Sequence, residues 1–260
     1  MPGTASDRIA SAKDFIEQVD LPKAPTQVRD FGAAPSEFVP DPDKEQSLVA
    51  GSEVIAFTKG VTAERRKAIT HSALFAQLVA NRKVTDENDM EAWYKAYFGA
   101  LTNVGWAVQS TDFITYEATS AQADVHQAVL QIASGVLGQA SAGYLLVKAS
   151  LDALKNLDQG SPWITVFRRE SQKSRSSRFQ VGLATEDPQG GFLVKLLAFR
   201  LDASTANTQV LFFRFKAEHA ALYKFSGSVT IDEGVLGSVG PTLEQRIGAY
   251  VRSYIVSVPI

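Results

Sequence analysis

The chain has no cysteine among its 260 residues. That excludes disulfide bonds, thiolate metal sites, a cysteine nucleophile and S-acylation. Histidine is nearly as scarce: His71, His126 and His219 are the only three, and none lies within four residues of another. An ordinary zinc site needs at least two such ligands to converge with a carboxylate, so no metal centre is expected. Also missing are the G-x-S-x-G elbow, the P-loop and a G-x-G-x-x-G turn after a strand, so no cofactor is expected either. The carboxylate pairs Asp41/Asp43, Asp86/Glu87 and Glu186/Asp187 fall in turns or at helix starts, where acidic side chains cap a helix and complement its dipole. An enzyme would need a site assembled from distant positions. A hydrolase of that dispersed kind stays as a third function class.

Charge is balanced as well. A formal net charge of −2 draws the molecule as a whole neither to nucleic acid nor to anionic lipid. The opening residues MPGTASDRIASAKDF carry no apolar run behind their basic residues, so the sequence predicts no secretory signal. Synthesis in the cytoplasm is expected, with any release by a non-classical route.

What is present is an ordinary globular composition, 45% hydrophobic and 21% charged. Residues 1–60 stand apart with six of the ten prolines and 6 basic against 10 acidic side chains. They read as a proline-rich acidic arm containing a short helix over Ile9–Val19, capped by Ser6 or Asp7. The rest, 61–260, reads as a single α+β domain. Thr62 caps a helix from Ala63 to about Lys83. Asp86 caps a second, with Met90, Trp93, Tyr94, Tyr97, Phe98 and Leu101 at helical spacing. Trp106–Tyr116 reads as a strand. After Gly160 the period changes to two, giving strands at Trp163–Phe167, Phe179–Ala184, Phe192–Leu201, Gln209–Lys216 and Tyr223–Ile231. Short connections predict an antiparallel meander of about five to six strands, on which the helical N-terminal half packs. In LFFRF the face of Leu211, Phe213 and Phe215 is apolar, and Phe192–Leu201 is apolar on both sides, so helices should cover much of the sheet. A helix opening at Pro241 and running from Leu243 to Ile255 closes the chain.

Two stretches could carry function. Gln127–Val147, QAVLQIASGVLGQASAGYLLV, has no charge over 21 residues. It belongs to a helical pattern from about Ala121 to Leu157, which Gly135, Gly138 and Gly143 weaken enough to allow one kinked rod or two helices. Ser134, Gly138 and Ala142 recur at every fourth residue and would line one edge, beside an apolar stripe that includes Val129, Ile132 and Val136. Its glutamines and serines dilute it below a spanning segment, so it reads as a core helix, with release toward lipid as the sharper alternative. The second stretch is RRESQKSRSSR between two strands. Arg168, Arg169, Lys173, Arg175 and Arg178 would there form an anion or lipid-headgroup site, or else a solvated hairpin. No aromatic platform accompanies these charges, so no specific nucleic acid is expected as partner.

The segments TQVLFFRFKAEHAALYKFSG and VLGSVGPTLEQRIGAYVRSYIVSVPI resemble the Evf-type virulence factors of gut-colonising bacteria. That resemblance implies an α+β, membrane-associated, non-enzymatic virulence protein. The lipid-bearing cysteine of the type member has no counterpart here. The resulting expectation is a toxin-like effector that contacts a lipid membrane or a host surface. Its rival is a structural protein that self-associates through the N-terminal arm.

Overall fold

The sequence FLVKLLAFRLDA has almost no polar face, and a strand of that kind must be covered from both sides. The computed structural model describes residues 4–25, 38–108, 113–116, 122–156, 161–172, 176–186, 192–203, 214–216, 220–258 and 260. In chain order the elements are α1 (Ala5–Gln18), β1 (Gln46–Ala50), β2 (Glu53–Phe57), α2 (Ala63–Lys83), α3 (Met90–Asn103), β3 (Trp106–Ala107), β4 (Ile114–Tyr116) and β5 (Gln122–Asp124). There follow α4 (Val125–Leu137), α5 (Ala142–Asn156), α6 (Pro162–Ser171), β6 (Ser176–Glu186), β7 (Phe192–Ala203), β8 (Arg214–Lys216), β9 (Ala220–Ile231), α7 (Glu233–Tyr254) and β10 (Ile255–Val258). The fold is α+β, as the sequence predicts.

Eight strands form one sheet in the order β10-β1-β2-β6-β7-β9-β3, with β4 also paired to β9, while β5 and β8 make a separate pair. Val194, Leu196 and Ala198 of β7 enter a core with α1, α2, α3 and α7. Leu197, Phe199 and Leu201 of the same strand enter a second core with α4, α5 and α6. Helices thus cover both faces.

The meander β6-β7-β9 is antiparallel, but the sheet as a whole is mixed, because β2 runs parallel to β6. Residues 46–57 lie within the sheet as the hairpin β1–β2. Gly51, with φ 59°, makes the tight turn between these strands. Trp163–Phe167, expected as a strand, is part of α6. Pro162 at its first turn presets the helix, and a short apolar run alone does not distinguish helix from strand. Of the Gln209–Lys216 strand only 214–216 lies within the described residues. The expected face of Leu211, Phe213 and Phe215 therefore lies outside the side chains that the structure describes, as does His219. The second helix is capped by Asp89 rather than Asp86, whose carboxylate serves the preceding turn. α1 is capped by Thr4 rather than by Ser6 or Asp7, and Thr62 caps α2. The last helix begins at Glu233 under an Asp232 cap and carries Pro241 inside it, with Val235, Leu236 and Val239 buried ahead of the proline. Such packing outweighs the roughly 3 kcal/mol that an interior proline costs.

Between the sheet and α2–α3 lies a polar layer. Tyr94 Oη donates to Phe199 O at 2.7 Å and accepts from Gln180 Nε2 at 2.9 Å. Ser52 Oγ donates to Gln180 Oε1 at 2.9 Å, and Gln77 Nε2 donates to Ala50 O at 2.9 Å. Glu53, 1% exposed, accepts from Tyr97 Oη at 2.8 Å. Burial pushes its carboxyl up to about 7 although that hydrogen bond lowers it. The folded chain therefore keeps a proton that an unfolded chain releases between 4.5 and about 7. This contribution to stability is complete below pH 4.5 and is lost as pH rises through about 7. The Glu53→Gln variant should remove that slope. Urea unfolding of wild type and variant between about pH 5 and about pH 8 should show their difference changing by at most about 3 kcal/mol.

Candidate functional site

The uncharged stretch folds as a helical hairpin. Asp124 caps α4, its Oδ1 accepting from His126 N at 2.9 Å. Gly138, with φ 83°, ends the helix, and its N–H donates to Ser134 O at 3.0 Å. Ser141 Oγ then accepts from Tyr144 N at 3.0 Å and opens α5. The pattern from Ala121 to Leu157 is therefore two helices, not one rod. Ser134 sits on α4, Gly138 in the turn and Ala142 at the start of α5, so the three small residues do not line one helix edge. Val129 and Ile132 are buried in the core on the sheet, and Val136 packs against it partly buried.

The inner face of the hairpin is apolar. Val125, Val129, Ile132 and Leu137 of α4 join Leu146, Val147, Leu151 and Leu154 of α5 over Phe179, Val181, Leu183, Leu197 and Phe199 of the sheet. The outer face is neutral at the turn. Gly138, Gln139, Ala140 and Ala142 are exposed, and Leu145 is 54% exposed. Beneath the turn lies a cavity of about 480 Å³ lined in part by Leu137, Ala142, Gly143, Leu183, Leu193 and Lys195.

Among the described residues, few polar ties hold this hairpin. Lys195 Nζ donates to Val136 O at 3.0 Å, and Tyr116 Oη donates to Gln131 Oε1 at 2.7 Å. Within the hairpin, His126 Nε2 lies 2.9 Å from Asp152 Oδ1, and Lys148 Nζ donates to Asp152 Oδ2. Burial lowers the His126 pKa, outweighing the hydrogen bond to Asp152 that raises it. Burial alone would raise the Asp152 carboxyl, but Lys148 and His126 bring it below the usual value. No spacing in the sequence announces this pair, because its members come from different helices.

The described ends of the basic run lie in α6 and β6 rather than in a loop. Arg168 and Arg169 lie in the last turn of α6. Arg169 Nε donates to Glu170 Oε1 at 2.5 Å, Nη2 donates to Ser253 O at 2.9 Å, and the guanidinium stacks over Tyr254 at 4.7 Å. Arg178 is buried on the opposite face of the sheet, stacked over Trp93 at 4.1 Å and donating to Asn81 Oδ1 at 2.8 Å. Its alternation in β6 sends it toward α2–α3 while Phe179 faces α6. Lys173 and Arg175 lie outside the described residues. Among the described residues of the run, Arg178 thus does not share one face with Arg168 and Arg169. Among the described residues no group of His, Cys, Asp or Glu is placed to hold a metal ion, and no helix is long and apolar enough to cross a membrane.

No protein-family model matches the chain, and no curated protein matches it. Among solved structures it is similar to a delta-endotoxin, with a TM-score of 0.40, 10% identity, and coverage of 82% of this chain and 89% of that one. It is also similar to the Evf virulence factor, with a TM-score of 0.34, 11% identity, and coverage of 87% and 88% respectively.

At Gly143, α5 packs closely against Leu183 of β6. A Cβ there would lie 2.5 Å from Leu183 Cδ2, whereas one at Gly135 would meet nothing within 4 Å. Gly143→Val should destabilise the fold by about 1–3 kcal/mol through overpacking. Gly135→Ala should stabilise it by up to about 1 kcal/mol, because it improves helix propensity at an exposed site. Urea denaturation of both variants checks the pair.

Proposed function

We propose that this protein is a non-enzymatic, toxin-like effector that contacts lipid membranes through the α4–α5 hairpin. The observation that carries this reading is the hairpin itself, which is apolar inside, uncharged at its turn and fastened to the sheet mainly by non-directional contacts. Hydrocarbon can replace contacts of that kind, whereas it cannot replace a hydrogen-bonded network. At 13 and 15 residues the two helices are about 20 Å long, short of the roughly 30 Å hydrocarbon core. The hairpin would therefore lie in the interface with its apolar side down and would not span the bilayer.

In water the hairpin stays closed. Each buried leucine, valine or phenylalanine contributes about 1.5–3 kcal/mol, and the sheet beneath loses its cover as well. Opening becomes affordable only where lipid meets the uncovered surface. Because the turn carries no charge and Arg178 is buried away from it, apolar contact governs the association rather than attraction to anionic headgroups.

The absence of native cysteine permits a clean test. The pair Gly143→Cys and Leu183→Cys would place two thiols where α5 touches β6, and oxidation would lock the hairpin to the sheet. The oxidised protein should lose binding to phosphatidylcholine vesicles in co-sedimentation, and reduction should restore it. Wild-type binding should persist in high salt and change little with anionic lipid. Equal binding by locked and reduced forms, or no binding by wild type, would contradict the proposal.

A further inference from the structure

Asp152 is the centre of a small ionisable cluster between the two helices of the hairpin. On one side is His126, whose side chain is 1% exposed. On the other is Lys148, one turn earlier on α5. Two further charged groups influence the imidazole: Asp124, which caps α4, and Lys155, which follows Asp152 on α5. His126 Nδ1 is buried and, among the described residues, has no hydrogen-bond partner. The neutral ring is therefore assigned its proton on Nε2, where it donates to Asp152.

A second proton alters this arrangement. It must go on Nδ1, where nothing accepts it, and a buried unsatisfied donor bears its full desolvation cost. It also gives one carboxylate two cations to serve, with Lys155 nearby. Attraction to Asp152 opposes these effects, but that carboxylate is already engaged by Lys148. Burial outweighs the Asp152 hydrogen bond in the net balance at the imidazole.

We propose that the His126–Asp152–Lys148 cluster is an acid-sensitive latch: neutral His126 holds the first turn of α4 against α5, and its protonation loosens α4. This inference rests on the reading of the hairpin as the element that meets lipid, for which it supplies the trigger. The sign follows from linkage. A histidine held below its ordinary value of 6.5 contributes fully above that pH, and the contribution declines as pH falls below it. One proton limits the response to about tenfold in the opening equilibrium per pH unit.

Hydrogen exchange of the full-length protein without lipid tests the latch at about pH 7.5 and about pH 5.5, after correction for intrinsic exchange rates. Protection of the α4 amides should fall several-fold in wild type at the lower pH, while α3 amides keep theirs. His126→Gln retains an N–H donor for Asp152 but cannot titrate, so its α4 protection should not fall. Unchanged α4 protection in wild type would overturn the latch, and it does so whether or not the variant folds. An equally steep fall in His126→Gln would overturn it too. A parallel arm adds phosphatidylcholine vesicles at both pH values. Acid loosening of α4 without vesicle binding supports the latch and overturns the lipid reading. Vesicle binding with pH-independent α4 protection supports the lipid reading and overturns the latch.

Discussion

A sheet whose strands β2 and β7 are apolar on both faces cannot stand in water until each face is covered, and the rest of this architecture follows from that requirement. β2 and β7 each send alternate side chains into two separate cores, one under α1, α2, α3 and α7, the other under α4, α5 and α6. Neither helical layer is optional, because removing one would expose a continuous apolar surface of the kind that drives association. Covering both faces does not require the two layers to be fastened alike, and they are not.

The α2–α3 side is specified by directional bonds. Arg66, fully buried, donates to Val61 O, Gln46 Oε1, Lys44 O and Thr58 O, all within 2.8–2.9 Å, and ties α2 to both ends of the β1–β2 hairpin. Tyr94, Tyr97, Gln180, Glu53 and Ser52 extend the network across the sheet. Breaking such a layer strands buried polar groups, so it opens only with the whole fold. The α4–α5 side depends far more on dispersion and the hydrophobic effect, with a handful of polar ties at its margins. One face is thus a rigid foundation and the other a cover that exchanges its contacts more readily. The functional reading rests on that asymmetry.

Local signals in the sequence reached some of this and missed the rest for definable reasons. Thr62 before Ala63, and the aromatic stripe from Met90 to Leu101, are short-range patterns, and both helices lie where the spacing places them. β1–β2 was hidden by the prolines ahead of it, although SLVAGSEVIAF has two β-rich runs around Gly51 and Ser52 that a hairpin reading could have caught. The first half of α7 was hidden by Gly234, Gly237, Gly240 and Pro241, whose helical state is enforced by the burial of Val235, Leu236 and Val239. Arg178 read as surface charge because its partners, Trp93 and Asn81, are far away in sequence. The His126–Asp152 contact was invisible for the same reason. Tertiary partners of polar residues leave no period to detect.

The pairing of β1 with β10 joins Ser47 to Val258 and Ala50 to Ile255, strands from nearly opposite ends of the chain. Such a ladder closes a very long loop, which makes it a slow event by the entropy of bringing distant segments together. During synthesis β1 must wait beside β2 with one edge unpaired until β10 leaves the ribosome. Residues 255–258 therefore complete a sheet begun by residues 46–57, and a chain stopped short of them would present a sticky edge to its neighbours.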